Sequence, residues 1–113
     1  MFRFYHNPKC KTSRQGLLML QEKGVQLVVI EYLKKPPTVT ELKKLLNKLN
    51  MKPVEIIRKK EKLYIENFKG KNFNDEEWMR IICENPILIE RPIVEKDYKA
   101  IIGRPVDKLL EIL

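Results

Sequence analysis

The sequence predicts an α/β fold: a mixed four-stranded sheet that opens with a β-α-β unit, closes with a β-β-α unit and carries a helical insertion between them. Three observations lead there. Residues 1–32 run through strand, helix and strand patterns in turn; residues 87–103 read as two short strands around a tight turn; the stretch between them has helical periodicity and helix-start signals. A chain of 113 residues with 43% apolar side chains can build one packed core. One domain spanning residues 1–113 is therefore expected, with the insert at roughly 38–85.

Phe2-Arg3-Phe4-Tyr5-His6 alternates and is rich in aromatics, so it reads as a strand, which Asn7-Pro8 then breaks. From Thr12 to about Lys23, Leu17, Leu18 and Leu20 among good helix formers predict a helix stopped by Gly24. Val25 to Tyr32 is a β-branched run and reads as a second strand, buried on at least one face. Strand, helix, strand implies parallel pairing through a right-handed crossover.

Pro36-Pro37 marks a linker, and Thr38-Val39-Thr40-Glu41 has the capping-box spacing that starts a helix running to Leu49, with Leu42, Leu45, Leu46 and Leu49 on one side. A short helix is expected after Lys52, with Pro53 in its first turn and Ile56 and Ile57 facing inward. Lys59 to Lys71 reads as polar and in part mobile, anchored by Leu63, Tyr64, Ile65 and Phe68. Asn74-Asp75-Glu76-Glu77 caps a further helix to Glu84, with Trp78, Ile81 and Ile82 as its core stripe. Ile87 to Glu95 and Tyr98 to Gly103 read as strands joined near Lys96-Asp97, and a last helix from Pro105 carries Leu109, Leu110 and Leu113 on one side. Two parallel strands, a helical insert and a closing hairpin with its helix describe a thioredoxin-like sheet covered by helices.

Cys10 falls just after a strand and just before a helix, where unpaired backbone N–H groups and the helix dipole stabilise a thiolate. Lys9, Lys11 and Arg14 stand beside it, although exposed lysines contribute little through water. The residue three positions on is Ser13, so the pattern is Cys-x-x-Ser and no local resolving thiol exists. A second electron pair then comes from an external thiol or from Cys83. Cys83 itself lies in an amphipathic helix beside Ile81 and Ile82 and reads as structural. The Thr12 and Ser13 hydroxyls can donate to the thiolate or cap the helix, and the two roles are compatible.

The formal charge is +8, from 23 Lys and Arg against 15 Asp and Glu, which favours anionic partners. The basic residues are spread along the chain, and no recognition motif or stacking surface points to nucleic acid. No apolar run of membrane-spanning length and no signal peptide is recognised, so a cytoplasmic protein without a membrane partner is expected. One histidine and two distant cysteines cannot make a four-ligand metal site.

The segment Tyr5 to Arg14, together with Ile89-Glu90-Arg91-Pro92-Ile93-Val94 and Ile102-Gly103-Arg104-Pro105, resembles the arsenate reductase (ArsC) family of the glutathione- and glutaredoxin-coupled type, over essentially the whole chain. The resemblance implies a thioredoxin-like fold with a helical insertion, and reduction of arsenate to arsenite. Its nucleophilic cysteine falls on Cys10, its oxyanion-binding arginines on Arg58, Arg91 and Arg104, and its active-site histidine on His6, which could otherwise only cap the strand. Arg58 stands in the less distinctive Ile56-Ile57-Arg58-Lys59.

Planar guanidinium groups bind tetrahedral oxyanions in bidentate fashion and stabilise the charge that develops during attack. Pro92 resembles the proline that precedes a central strand in thioredoxin folds, which implies a cis Arg91–Pro92 bond that brings Arg91 near Cys10. By the same resemblance glutathione is a co-substrate and glutaredoxin a partner; no bound cofactor and a monomeric protein are expected. A second reading keeps the thiol chemistry but takes glutathione mixed disulfides or another oxyanion as substrate, because the chain ends at Leu113 where longer arsenate reductases continue. A third, a redox regulator of transcription like the Spx branch, is disfavoured because that branch carries Cys-x-x-Cys and this chain has Ser13.

Overall fold

The computed structural model describes residues 1–113. They form two compact units: residues 1–35 with 91–113, and residues 36–90. The inserted unit is thus a few residues longer at each end than the helical pattern suggests.

The first unit holds a four-stranded sheet in the order β2-β1-β3-β4. Its strands are β1 (Phe2–Tyr5), β2 (Leu27–Ile30), β3 (Ile93–Lys96) and β4 (Lys99–Ile102). β1 and β2 are parallel, and the crossover between them is helix α1 (Lys11–Glu22). β3 runs antiparallel to both β1 and β4. This is the mixed sheet that the element order predicts.

Pairing of Phe4 with Val94 puts both on one sheet face, where they meet Leu20 of α1 and Leu109 and Ile112 in a closed apolar cluster. Glycine ends α1 as expected: Gly24 has φ +75°, a conformation open to it because it lacks a Cβ. β2 is less buried than its composition suggests. It is the edge strand, and Val28 and Val29 are both exposed. The closing segment also differs: Val106–Ile112 is a 3-10 helix that buries Leu109 and Ile112, while Leu110 and Leu113 face solvent. Its three-residue period selects i and i+3 in place of the α-helical set.

The inserted unit carries α2 (Val39–Leu49), α3 (Lys62–Asn67) and α4 (Asp75–Glu84). Capping boxes start α2 and α4: Thr38 Oγ1 accepts from the Glu41 N–H at 3.1 Å, and Asn74 Oδ1 accepts from the Glu77 N–H at 2.8 Å. Leu42, Leu45 and Leu46 of α2 are buried, as are Trp78, Met79 and Ile82 of α4. The short helix after Lys52 is a 3-10 turn over Pro53–Ile56.

Two features of this unit differ from the sequence reading in detail. The lysine-rich stretch is anchored by Tyr64 as expected, but through a short helix, α3. The apolar run after Asn85 opens as a 3-10 turn, Pro86–Leu88, followed by a single bridge between Ile57 and Ile89, and strand pairing with the sheet begins only at Ile93. Pro86 and Pro92, each without an N–H, bracket the part that cannot extend the ladder. No helix is long and apolar enough to cross a membrane.

Candidate active site

Sheet register brings three chain segments to one edge. Tyr5, at the end of β1, pairs with Ile93 at the start of β3, and Ile93 pairs in turn with Ile102 at the end of β4. The residues just beyond are therefore neighbours: His6 to Cys10 after β1, Arg91-Pro92 before β3, and Gly103-Arg104 after β4.

The loop after β1 is built around Asn7, a buried residue. Its carbonyl accepts the Cys10 N–H at 3.0 Å, its Oδ1 accepts the Lys9 N–H at 3.0 Å, and its own N–H donates to Ser13 Oγ at 3.0 Å. This Asx-turn chemistry folds the chain tightly between strand and helix. Arg14 adds a bond from Nη1 to the Pro8 carbonyl at 2.9 Å. Cys10 then sits at the N-cap of α1 with extended backbone.

Ser13 is fully buried, and its Oγ lies 2.7 Å from His6 Nδ1. That oxygen accepts from the Asn7 N–H and keeps its own proton to donate, and a neutral His6 ring with Nδ1 as acceptor completes the pair. Burial lowers the His6 pKa; Glu31 opposes that shift and Arg14 assists it. His6 is thus neutral near pH 7, which suits the acceptor role.

At Cys10 burial pushes the thiol pKa up, but the Ser13 N–H, a hydrogen bond and charge from Arg91, and the Arg104 charge outweigh it and leave the pKa lowered. Ser13 therefore acts on the sulfur through its backbone, while its hydroxyl serves His6. Thr12 and His6 are not among the groups that shift the thiol, nor are Lys9, Lys11 and Arg14. The effective cations come from the far end of the sequence.

Arg91 is buried, and the bond from it to Pro92 is cis. The Gly103 N–H donates to the Pro92 carbonyl at 2.8 Å, which holds the end of β4 against this proline. Arg104 follows, with Nε donating to the Arg91 carbonyl at 2.9 Å and Nη2 lying 3.4 Å from Cys10 Sγ. A second cis bond, Arg104–Pro105, turns the chain into the closing 3-10 helix. Sequence reading missed this bond, along with Asn7 and the close approach at Gly103. A Cβ on Gly103 would stand 2.7 Å from Leu109 Cγ and 3.0 Å from Pro92 Cγ. The buried asparagine between strand and turn was the available signal for the first of these.

Arg58 lies in the inserted unit. There its N–H donates to the Leu88 carbonyl at 2.7 Å and its Nε is 3.9 Å from a Glu61 carboxylate oxygen. Cys83, in the same unit, has its thiol pKa raised by burial and by Glu41 and Glu84, the opposite of an activated nucleophile. No group of three or more His, Cys, Asp or Glu side chains is placed to hold a metal ion.

The sheet order, the cis proline before β3 and a thiol of lowered pKa at a helix N-terminus define a thioredoxin-like fold. The ArsC family model matches residues 5–112, and the chain belongs to that family. Arsenate reductases of Neisseria meningitidis serogroup B and Haemophilus influenzae are similar to it, at 37% and 41% identity over 98% and 96% of this chain and 97% and 96% of their own lengths. The solved structure of an arsenate reductase from Vibrio cholerae superposes with a TM-score of 0.93 at 42% identity, covering 99% of this chain and 97% of that one.

Proposed function

We propose that the protein is an arsenate reductase in which the Cys10 thiolate attacks arsenate held by arginine side chains, with glutathione and glutaredoxin supplying the electrons. The observation that carries this reading is the convergence of Arg91 and Arg104 on the Cys10 sulfur. Two guanidinium groups that stabilise a thiolate before reaction stand ready to take the charge of the incoming oxyanion. Arg58 joins them as a third oxyanion ligand on the resemblance of its motif.

In the first step the thiolate and dihydrogen arsenate, with one proton, form a sulfur–arsenic bond and release water. Arsenic is still pentavalent in this adduct. Two thiols then deliver two electrons and become one disulfide, arsenite leaves, and Cys10 is regenerated. The electrons must come from outside the chain, because Ser13 occupies the place of a resolving cysteine and Cys83 is not activated. The family likeness and the arsenate reductase names of close relatives support arsenate as the oxyanion.

Steady-state turnover with arsenate, glutathione and glutaredoxin tests the proposal. Cys10→Ser should abolish arsenite formation while Cys83→Ser retains it. Turnover that survives Cys10→Ser would overturn the mechanism, and an enzyme that reacts with glutathione disulfide but never with arsenate would shift the substrate to a mixed disulfide.

A further inference from the structure

Residues 1–21 contain four basic side chains, Arg3, Lys9, Lys11 and Arg14, and no Asp or Glu. Elsewhere acids and bases are interleaved, and α4 alone begins with three consecutive acids. Lys9 and Lys11, on either side of Cys10, are both exposed, and neither ammonium has a carboxylate partner within the chain. The acid that influences this end of the sheet, Glu31, acts on His6 and pairs with Lys34 at 3.5 Å.

These lysines are not among the groups that lower the thiol pKa, which are the Ser13 N–H, Arg91 and Arg104. Their charges face the solvent from which a second substrate must approach. An uncompensated pair of flexible cations beside a reactive sulfur raises the local concentration of anions and steers them inward. The sulfur of such a substrate has to reach Cys10, so its anionic groups must lie to the sides, where residues 9 and 11 stand.

We infer that Lys9 and Lys11 form a collar that recruits the reductant, a small thiol with a carboxylate on each side of its sulfur, by pairing with those carboxylates. This rests on Cys10 being the reacting thiolate of the proposed function. Glutathione has the required chemistry and serves as the probe.

Thiol–disulfide exchange at Cys10 isolates recruitment from arsenate chemistry. The thiolate attacks one sulfur of a disulfide, a Cys10–sulfur bond forms, the old disulfide bond breaks, and one thiolate leaves, so no further oxidant or reductant enters. Two disulfides are compared: glutathione disulfide, net negative, and hydroxyethyl disulfide, uncharged. The ratio of their second-order rates is expected to fall about five-fold in the Lys9→Gln/Lys11→Gln double variant, the size of two exposed charge pairs. It should also fall in the unaltered protein at about 1 M salt, where screening acts within about 3 Å. Lys43→Gln/Lys44→Gln, an equal loss of exposed charge on α2, should leave the ratio unchanged.

A ratio that is the same in the Lys9/Lys11 variant, or that falls equally in the Lys43/Lys44 variant, overturns the collar and leaves the arsenate mechanism standing. A Cys10 that exchanges with neither disulfide overturns both.

Discussion

The Cys10 thiol pKa is lowered by the nearby Ser13 N–H and by two arginines 81 and 94 positions away, and this makes the contribution of each separable. Arg91 provides a hydrogen bond and the larger charge effect, and Arg104 donates from Nη2 to the sulfur at 3.4 Å and adds its charge while its Nε is held by the Arg91 carbonyl. The pH midpoint of Cys10 alkylation by iodoacetamide should therefore rise in Arg104→Ala and rise further in Arg91→Ala, because each loss disfavours the thiolate. Replacing Thr12 by Val should leave the midpoint where it is, since Thr12 is not among the groups that shift the thiol. A larger rise in Arg104→Ala than in Arg91→Ala would reverse the assignment. The place of this thiol at a helix N-terminus was legible in the sequence because a strand, a turn and a helix follow one another within a dozen residues around it. Its charge environment was not. Lys9, Lys11 and Arg14 are next to Cys10 in the chain, yet the two cations that shift it arrive through strand register, which local reading does not reveal; only the family's Arg-Pro and Gly-Arg-Pro motifs pointed to them.

Among the elements, those with a period and a cap could be read directly, and those shorter than a full α-helical turn of repeat could not. α2 and α4 have capping boxes and leucine or isoleucine stripes, and both lie where Thr38 and Asn74 place them. Ile87-Leu88 reads as strand but lies in a 3-10 turn, and the closing helix is present but is 3-10, because so short a run carries too few apolar positions to separate periods of two, three and 3.6. α3 is only six residues long and lies within a lysine-rich stretch that masks it. The closing 3-10 helix matters for the site, since Leu109 on it fills the space beside Gly103 and Pro92. Gly103→Ala would force a Cβ to within 2.8 Å of two Leu109 atoms, so a stability loss of about 1–3 kcal/mol is expected from overpacking. The further loss from Leu109→Ala should be smaller in the Gly103→Ala background than alone, because the clash goes with the leucine. Denaturant titration of the four proteins measures that coupling, and strictly additive losses would show that the close approach at Gly103 carries no strain.

For the molecule as a whole, the buried groups around the thiol tie stability to pH. His6 has its pKa lowered below the ordinary value near 6.5, so at acid pH the unfolded chain binds a proton that the folded chain refuses. Stability then declines as pH falls below about 6.5 and stops declining on this account once the folded-state pKa is passed. Cys10 is also depressed, so its contribution is fully present above the unfolded thiol pKa and is lost as pH falls through the folded value. Cys83 is raised and acts in the other direction: the unfolded thiol ionises first, and stability falls as pH climbs above the ordinary thiol range. The three groups together favour the folded chain from neutral to mildly alkaline pH. Denaturation midpoints measured from pH 5 to 8 should fall on the acid side in the unaltered protein, and His6→Gln should flatten the part of that slope that begins near 6.5, whatever its effect on absolute stability. An unchanged slope in His6→Gln would mean that burial does not hold the His6 ring neutral in the folded chain.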